Sequence, residues 1–269
     1  MVELSEKARE IRKNVIRMLS YAGSGHAGGS LGTADFWAAL YLGEVINYRV
    51  NELDWEERDR VVVSAGHYAP VVYASLAEAG FFPKEELWRL RCLGSRLQGH
   101  PVRGSLPGVE TTSGSLGQGI SQAVGMALVA RMDKKKWRVV CFMGDGEQDE
   151  GQVWEAYMLA GKEKLSNLVI VVDRNGIQID GATETVMPLE PFREKLLAFN
   201  LNPIEVDGHS FEEIKGGFEK ARRELSIPTV IILRTTPGKG VSFMEGKSEW
   251  HGKVPDEEEA KLALVELSR

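Results

Sequence analysis

An α/β fold, with a mostly parallel sheet covered by helices on both faces, is the class that this 269-residue sequence predicts. Three observations carry it. Short runs rich in Val and Ile recur at 58–66, 137–143, 167–174, 202–208 and 229–236. Most are near-continuous rather than alternating, the pattern of strands buried on both faces. Segments with helical spacing lie between them, which is the rhythm of βαβ units. The composition, 43% hydrophobic with a formal charge of −6, fits a globular chain and gives no support to a nucleic-acid surface.

The elements follow in order. Leu4, Ala8, Ile11, Val15, Met18 and Leu19 recur at helical spacing and predict an N-terminal helix that stops at GSGHAGG. The glycines there predict a loop, with Ser30 or Thr33 capping the next helix, ADFWAALYLGEV. RDRVVVSAG reads as a strand running into a Gly–His turn, and APVVYASLAEAG as a helix behind it. Residues 92–115 are rich in Gly, Ser and Pro and predict a long loop, a kind that usually carries function. LGQGISQAVGMALVARM is a helix with a small-residue face, WRVVCFM a buried strand and EGQVWEAYMLAGKEKL a helix. NLVIVVDR, NPIEVDG and TVIILRTT continue the strands, with a helix over 211–224. PGKGVSFMEGKSEWHGKVP is loop-like and EEEAKLALVEL closes the chain as a helix, so residues 1–269 read as one domain with an extension over 237–269.

No apolar run approaches the ~20 residues that span a bilayer. The opening MVELSEKAREIRKNV is a charged amphipathic helix rather than a leader, so a cytoplasmic location is expected, with neither membrane nor nucleic acid as partner. Cys92 and Cys141 match no metal or redox spacing, and Cys141 reads as a core residue.

Ligands of such sheets bind beyond the carboxyl ends of the strands. GDGEQDEG, residues 144–151, lies in one of those places. Gly144 and Gly146 let the backbone turn tightly around Asp145 and approach a bulky anion. Asn175 holds the matching place after the next strand, in DRNGIQIDG. A carboxylate oxygen, an amide oxygen and the carbonyl of Ile177 are hard ligands that suit Mg²⁺ or Ca²⁺, with diphosphate oxygens and water completing the shell. Neither a dinucleotide fingerprint nor a Walker A loop is present. Glu147 and Asp149 read as ordinary acids at a helix start. Glu150, Trp154 and Met158 share one helical face, with Glu155 beside it, and predict a face buried against something, either the core or a subunit partner. Four of the five histidines, His26, His67, His100 and His251, fall in the converging loops; His209 reads as a local cap or surface group.

These motifs together resemble the thiamine-diphosphate-binding N-terminal part of transketolase. AGSGHAGGSLG, SAGH, LQGHP, VETTSGSLGQG, GDG with the following Asn, and PGKGVSFMEGKSEWHG stand in the family's order and span residues 10–253. The resemblance implies the thiamine-diphosphate-binding fold, with Asp145, Asn175 and the Ile177 carbonyl as divalent-metal ligands. It places His67, His251 and Gly146 at the cofactor diphosphate and Gly114 and Leu116 at the aminopyrimidine. His26, His100 and His251 take the place of the family's substrate histidines, and Glu150, flanked by Glu155, that of the acid meeting a partner carboxylate. One departure is Arg174, where many relatives carry Asn or Asp. The larger one is length: the pyrimidine-binding and C-terminal domains are not in this sequence. The implied enzyme is therefore one half of a split transketolase, completed by a separate C-terminal subunit in an α2β2 heterotetramer. It would transfer a two-carbon ketol unit from a ketose phosphate to an aldose phosphate in the pentose phosphate pathway. Two alternatives stay open: a subunit of a deoxyxylulose-phosphate synthase-like or 2-oxo-acid dehydrogenase E1-like enzyme, and a non-catalytic scaffold paralogue.

Overall fold

The computed structural model describes residues 2–269. The chain opens with α1 (Val2–Ala22), followed by α2 (Gly28–Gly32), α3 (Ala34–Leu42), β1 (Arg60–Val63), α4 (Ala69–Glu78) and α5 (Gln118–Met132). Then come β2 (Val139–Gly144), α6 (Gly151–Lys162), β3 (Leu168–Arg174) and the small pair β4 (Ile177–Gln178) and β5 (Gly181–Ala182). The rest is α7 (Thr183–Val186), α8 (Phe192–Ala198), β6 (Asn202–Asp207), α9 (Phe211–Arg223), β7 (Thr229–Arg234) and α10 (Glu257–Glu266).

The main sheet has five strands in the order β1-β2-β3-β7-β6, and every neighbouring pair is parallel. Alternate side chains serve two separate cores, as the two-residue period of a strand requires. Val61, Val63, Val140, Phe142, Val169, Val171, Ile231 and Leu233 face α1, α3, α4 and α9. Val62, Val139, Cys141, Met143, Leu168, Ile170, Val172, Val230 and Ile232 face α5, α6 and α8. The expectation of helices on both faces is therefore met strand by strand. Ala260, Ala263 and Leu267 near the end of the chain join the first core. Among the described residues no helix is long and apolar enough to cross a membrane.

Three local expectations are corrected. The glycine run expected as loop holds the short helix α2, whose residues are all buried. Its glycines are there for close approach: a Cβ on Gly29 would lie 2.7 Å from the ring of Tyr68, and one on Gly32 2.8 Å from the carbonyl oxygen of Thr236. Neither Ser30 nor Thr33 caps a helix through its side chain; the Thr33 hydroxyl instead donates to the Gly29 carbonyl at 2.8 Å. His209 is a tie between three segments rather than a surface group. Its Nδ1 lies 2.9 Å from Asp35 Oδ2, and its Nε2 accepts the backbone N–H of Thr236 at 2.9 Å. Arg12 grips the same Asp35 with both guanidinium ends. The cap of α9 is Ser210, which accepts from the Glu213 N–H.

Candidate functional site

The carboxyl ends of β1, β2 and β3 finish level, because Ser64 N–H donates to the Phe142 carbonyl and Asp145 N–H to that of Asp173. The turns after these strands, with loops from α2, the 92–116 segment and the chain after β7, enclose a cavity of about 290 Å³. His26, His67, His100, His251, Gly114, Leu116, Gly144, Asp145, Gly146 and Ile177 all line it. Of the cofactor and substrate residues expected there, Asn175 stands just behind the wall and Glu150 on the exposed rim.

Four separate segments deliver the histidines. The ring centroids of His26, His67 and His251 lie 5.2 to 5.7 Å apart. His100 comes close from the long loop, since a Cβ on Gly66 would lie 3.0 Å from its Cδ2 and 2.8 Å from Ser113 Oγ. Gly28 lets the start of α2 press against the backbone of Trp250 and His251. Crowding imidazoles in a cavity disfavours the charged form. Burial, followed by the neighbouring His251, Arg91 and His100, lowers the His26 pKa to about 4. Burial, then His251 and His26, holds His67 well below its ordinary value, and burial also lowers His100 and His251. At neutral pH the cluster is uncharged, able to accept a proton or to donate one N–H per ring.

A titration follows from this. As pH falls below 6.5 the unfolded chain takes up protons that His26 in the native chain refuses until about 4. The contribution of His26 to stability is therefore full above pH 6.5 and is lost progressively towards pH 4. An NMR titration should place the His26 midpoint near 4; a midpoint at the free-imidazole value would remove the burial argument.

The acidic turn divides its charge among distinct tasks. Asp145 is buried; its Oδ1 accepts the Gly146 N–H at 2.8 Å and its Oδ2 the Gly176 N–H at 2.7 Å and Arg174 Nη1 at 3.0 Å. Glu147, expected as an ordinary acid at a helix start, is 2% exposed and has a structural task. It accepts Ser64 Oγ at 2.5 Å, Gly117 N–H at 2.7 Å and Gly144 N–H at 3.1 Å. One carboxylate thus joins the end of β1, the start of α5 and the end of β2. Asp149 and Glu150 are exposed, and Glu150 sits beside Gly117, where a Cβ would lie 2.9 Å from its own. The expected stripe of Glu150, Trp154 and Met158 splits. Trp154 packs inside the chain against Tyr157 and Phe199, while Met158 and Glu155 are exposed.

Behind Asn175 stands a network that the sequence does not announce. Its amide Nδ2 donates to Asp173 Oδ2 at 2.8 Å, and its Oδ1 accepts the Ile177 N–H at 2.9 Å. Asp173, fully buried, also accepts the hydroxyls of Tyr68 at 2.5 Å and Thr235. The Asn175 side chain is thereby held in one orientation. In the sequence Asp173 and Tyr68 are only neighbours of motif residues; nothing local marks a strand-end Asp as a support for the next side chain but one.

The residues fit a bulky anion held through a hard cation. Asp145, Asn175 and Ile177 offer oxygens only, as Mg²⁺ or Ca²⁺ prefers. That set contains a single acidic side chain, and among the described residues no three His, Cys, Asp or Glu side chains gather as a metal cluster. Gly114 and Gly144 line the cavity with open space where a Cβ would stand. Two residues that line the cavity, His26 and Gln178, carry buried polar atoms, Nδ1 and Oε1, with no partner in the protein. Buried polar groups are ordinarily paired, so these two are open to a ligand or a water.

Residues 4–267 match the family described as transketolase, thiamine diphosphate binding domain. The 6-deoxy-6-sulfo-D-fructose transketolase subunit SqwG of a Clostridium species is 42% identical, over 100% of this chain and 97% of its own. An apulose-4-phosphate transketolase subunit of Phocaeicola vulgatus is 39% identical, over 98% and 94% respectively. Among solved structures, transketolase from Leishmania mexicana superposes with a TM-score of 0.93 at 34% identity, covering 99% of this chain and 41% of that one. The Campylobacter jejuni enzyme also gives 0.93, at 32% identity and 43% of its chain. Against those whole enzymes, this chain spans about two-fifths of their length.

Proposed function

Since the chain belongs to the transketolase family, as its thiamine-diphosphate-binding N-terminal domain, we propose that it binds thiamine diphosphate and, with a separate C-terminal subunit, transfers a two-carbon ketol unit between sugar phosphates. One observation carries the reading: histidines from four segments meet the Asp145 turn and the Ile177 hairpin in one cavity at the strand ends. Asp145, Asn175 and the Ile177 carbonyl would hold Mg²⁺ and through it the diphosphate, with His67, His251 and Gly146 against the phosphate oxygens. Gly114 and Leu116 would flank the aminopyrimidine. When bound, the cofactor supplies the carbanion and electron sink that no side chain offers.

The chain's own residues supply orientation and proton handling. His26, His100 and His251, kept neutral, can take or give a proton at a substrate hydroxyl or carbonyl without first having to discharge an imidazolium. That His26 Nδ1 has no partner in the protein supports such an exchange at this ring. Glu150, exposed beside Gly117, is free to meet an acid of the partner chain. Two carboxylates brought together in a dry interface would share a proton. The partner is supported by the two relatives named as subunits, which this chain covers almost end to end. An assembly of two copies of each chain is the form we propose.

Co-production with the C-terminal partner, followed by assay with xylulose 5-phosphate and ribose 5-phosphate, tests the proposal. Ketol transfer is the expected result; turnover of pyruvate in its place would overturn it in favour of the synthase-like or dehydrogenase-like reading. The pentose phosphates have a competitor with specific support. The relatives at 42% and 39% identity are named for 6-deoxy-6-sulfo-D-fructose and apulose 4-phosphate. Ketoses of those two kinds therefore belong in the same assay, and the donor with the highest kcat/KM assigns the substrate.

A further inference from the structure

Arg174 ends β3 directly before Asn175, and its side chain is 5% exposed. Nη1 donates to Asp145 Oδ2 at 3.0 Å. Nη2 donates to Glu184 Oε1 at 2.5 Å and to Glu190 Oε1 at 3.1 Å. The three carboxylates are not equivalent. That of Asp145 is 2% exposed, whereas those of Glu184 and Glu190 are 44% and 45% exposed. The two glutamates also accept backbone N–H groups of Leu189, Glu190 and Phe192. Water screens their charge, so the pairing that dominates the buried side is the one between Arg174 and Asp145.

A carboxylate as buried as Asp145 needs a counter-charge, and the guanidinium supplies it. The consequence concerns what the site accepts. Taking the cation site proposed above as its premise, we propose that Arg174 makes this site selective for a cation–diphosphate complex over the free cation. A free divalent ion would have to shed water for one carboxylate whose charge is already matched 3.0 Å away, helped only by a neutral amide and a backbone carbonyl. Magnesium gives up water reluctantly and relies on carboxylates together with ligand phosphates. A diphosphate brings the missing negative charge with it. Arg174 thus positions Asp145 Oδ2, leaves Oδ1 with the single Gly146 N–H, and ties entry of the cation to entry of the cofactor. It touches neither substrate nor reacting atoms and is a positioning residue.

The test is Mn²⁺ binding to the chain assembled with its C-terminal subunit, followed by electron paramagnetic resonance, with and without thiamine diphosphate. The wild type should bind Mn²⁺ alone weakly and bind it on the order of 100-fold more tightly with thiamine diphosphate. R174M, with R174Q measured in parallel so that one folded neutral variant suffices, should gain about tenfold for Mn²⁺ alone. R174K keeps the charge and should stay close to wild type. The double variant D145N/R174M should lose the gain, which locates it at Asp145. If the neutral variants bind Mn²⁺ alone no better than wild type, the proposal is overturned. It is overturned too if R174K shifts as far as R174M, since a tie to the 184–190 segment would then explain both. A wild-type assembly that binds no Mn²⁺ even with thiamine diphosphate removes the cation site itself, a different failure from either of these.

Discussion

Replacing Asp145 with Asn is expected to weaken thiamine diphosphate binding in the presence of Mg²⁺ by on the order of 100-fold or more. The amide keeps the volume and one acceptor oxygen but removes the only charged side chain among the proposed ligands of the cation. It also sets an NH₂ group where Oδ1 or Oδ2 now accepts hydrogen bonds. Those come from Gly146 on one side and from Gly176, Arg174 and Thr183 on the other. At least one present donor would then face another donor, and Arg174 would lose the buried partner of its Nη1. Isothermal titration with thiamine diphosphate at fixed Mg²⁺, on variant and wild type together, measures the loss. An unchanged affinity would remove Asp145 from the cation site and leave it as a turn residue.

Replacement of Glu147 by Ala should cost about 3 kcal/mol of stability, a loss in the range of a broken buried network. Three donors, Ser64 Oγ and the N–H groups of Gly117 and Gly144, lose their acceptor together. Ser64 also accepts the Gly119 N–H at 3.1 Å, so the start of α5 is held through the same junction. Glu147→Gln keeps one acceptor oxygen and should lose roughly a third as much. The shift of the urea midpoint at unchanged slope is the measurement. A change below about 0.5 kcal/mol, the size of an ordinary surface substitution, would return Glu147 to the helix-start acid it resembles in sequence. Because Gly114, Leu116 and Gly144 line the cavity that this junction frames, the same variant should also weaken cofactor binding.

How far the sequence reaches can be argued from these residues. β2 and β3 are legible because a strand buried on both faces must be apolar at every position, and WRVVCFM and NLVIVVDR are nearly so. Asp145 and Asn175 are legible because each follows such a run within one or two residues, so strand pairing alone brings their turns together. The Gly28–Gly32 helix is not legible. Glycine is a poor helix former, and it stands there because Tyr68 and the 236–237 backbone leave no room for a side chain. The helix Phe192–Ala198 escapes for a different reason: flanked by Pro191 and only seven residues long, it is too short to show a period.

The histidines mark the boundary between the two kinds of information. Their residue types, and their places in loops between strands and helices, are set by the chain itself. So are the strand order's raw material, the two-faced core and the hard-oxygen character of the Asp–Asn pair. That His26, His67 and His251 stand within 6 Å of one another was decided only by folding, since 41 and 184 positions separate successive members. Burial holds all three pKa values down, and the neighbouring imidazoles lower those of His26 and His67 further. The fate of each acid was decided there too. Glu147, Asp149 and Glu150 are indistinguishable by local propensity, yet the packing of β1 and α5 against β2 buries the first and leaves the others in water. Local chemistry names the groups; burial and neighbours, which are properties of the whole packing, determine their charge and their work.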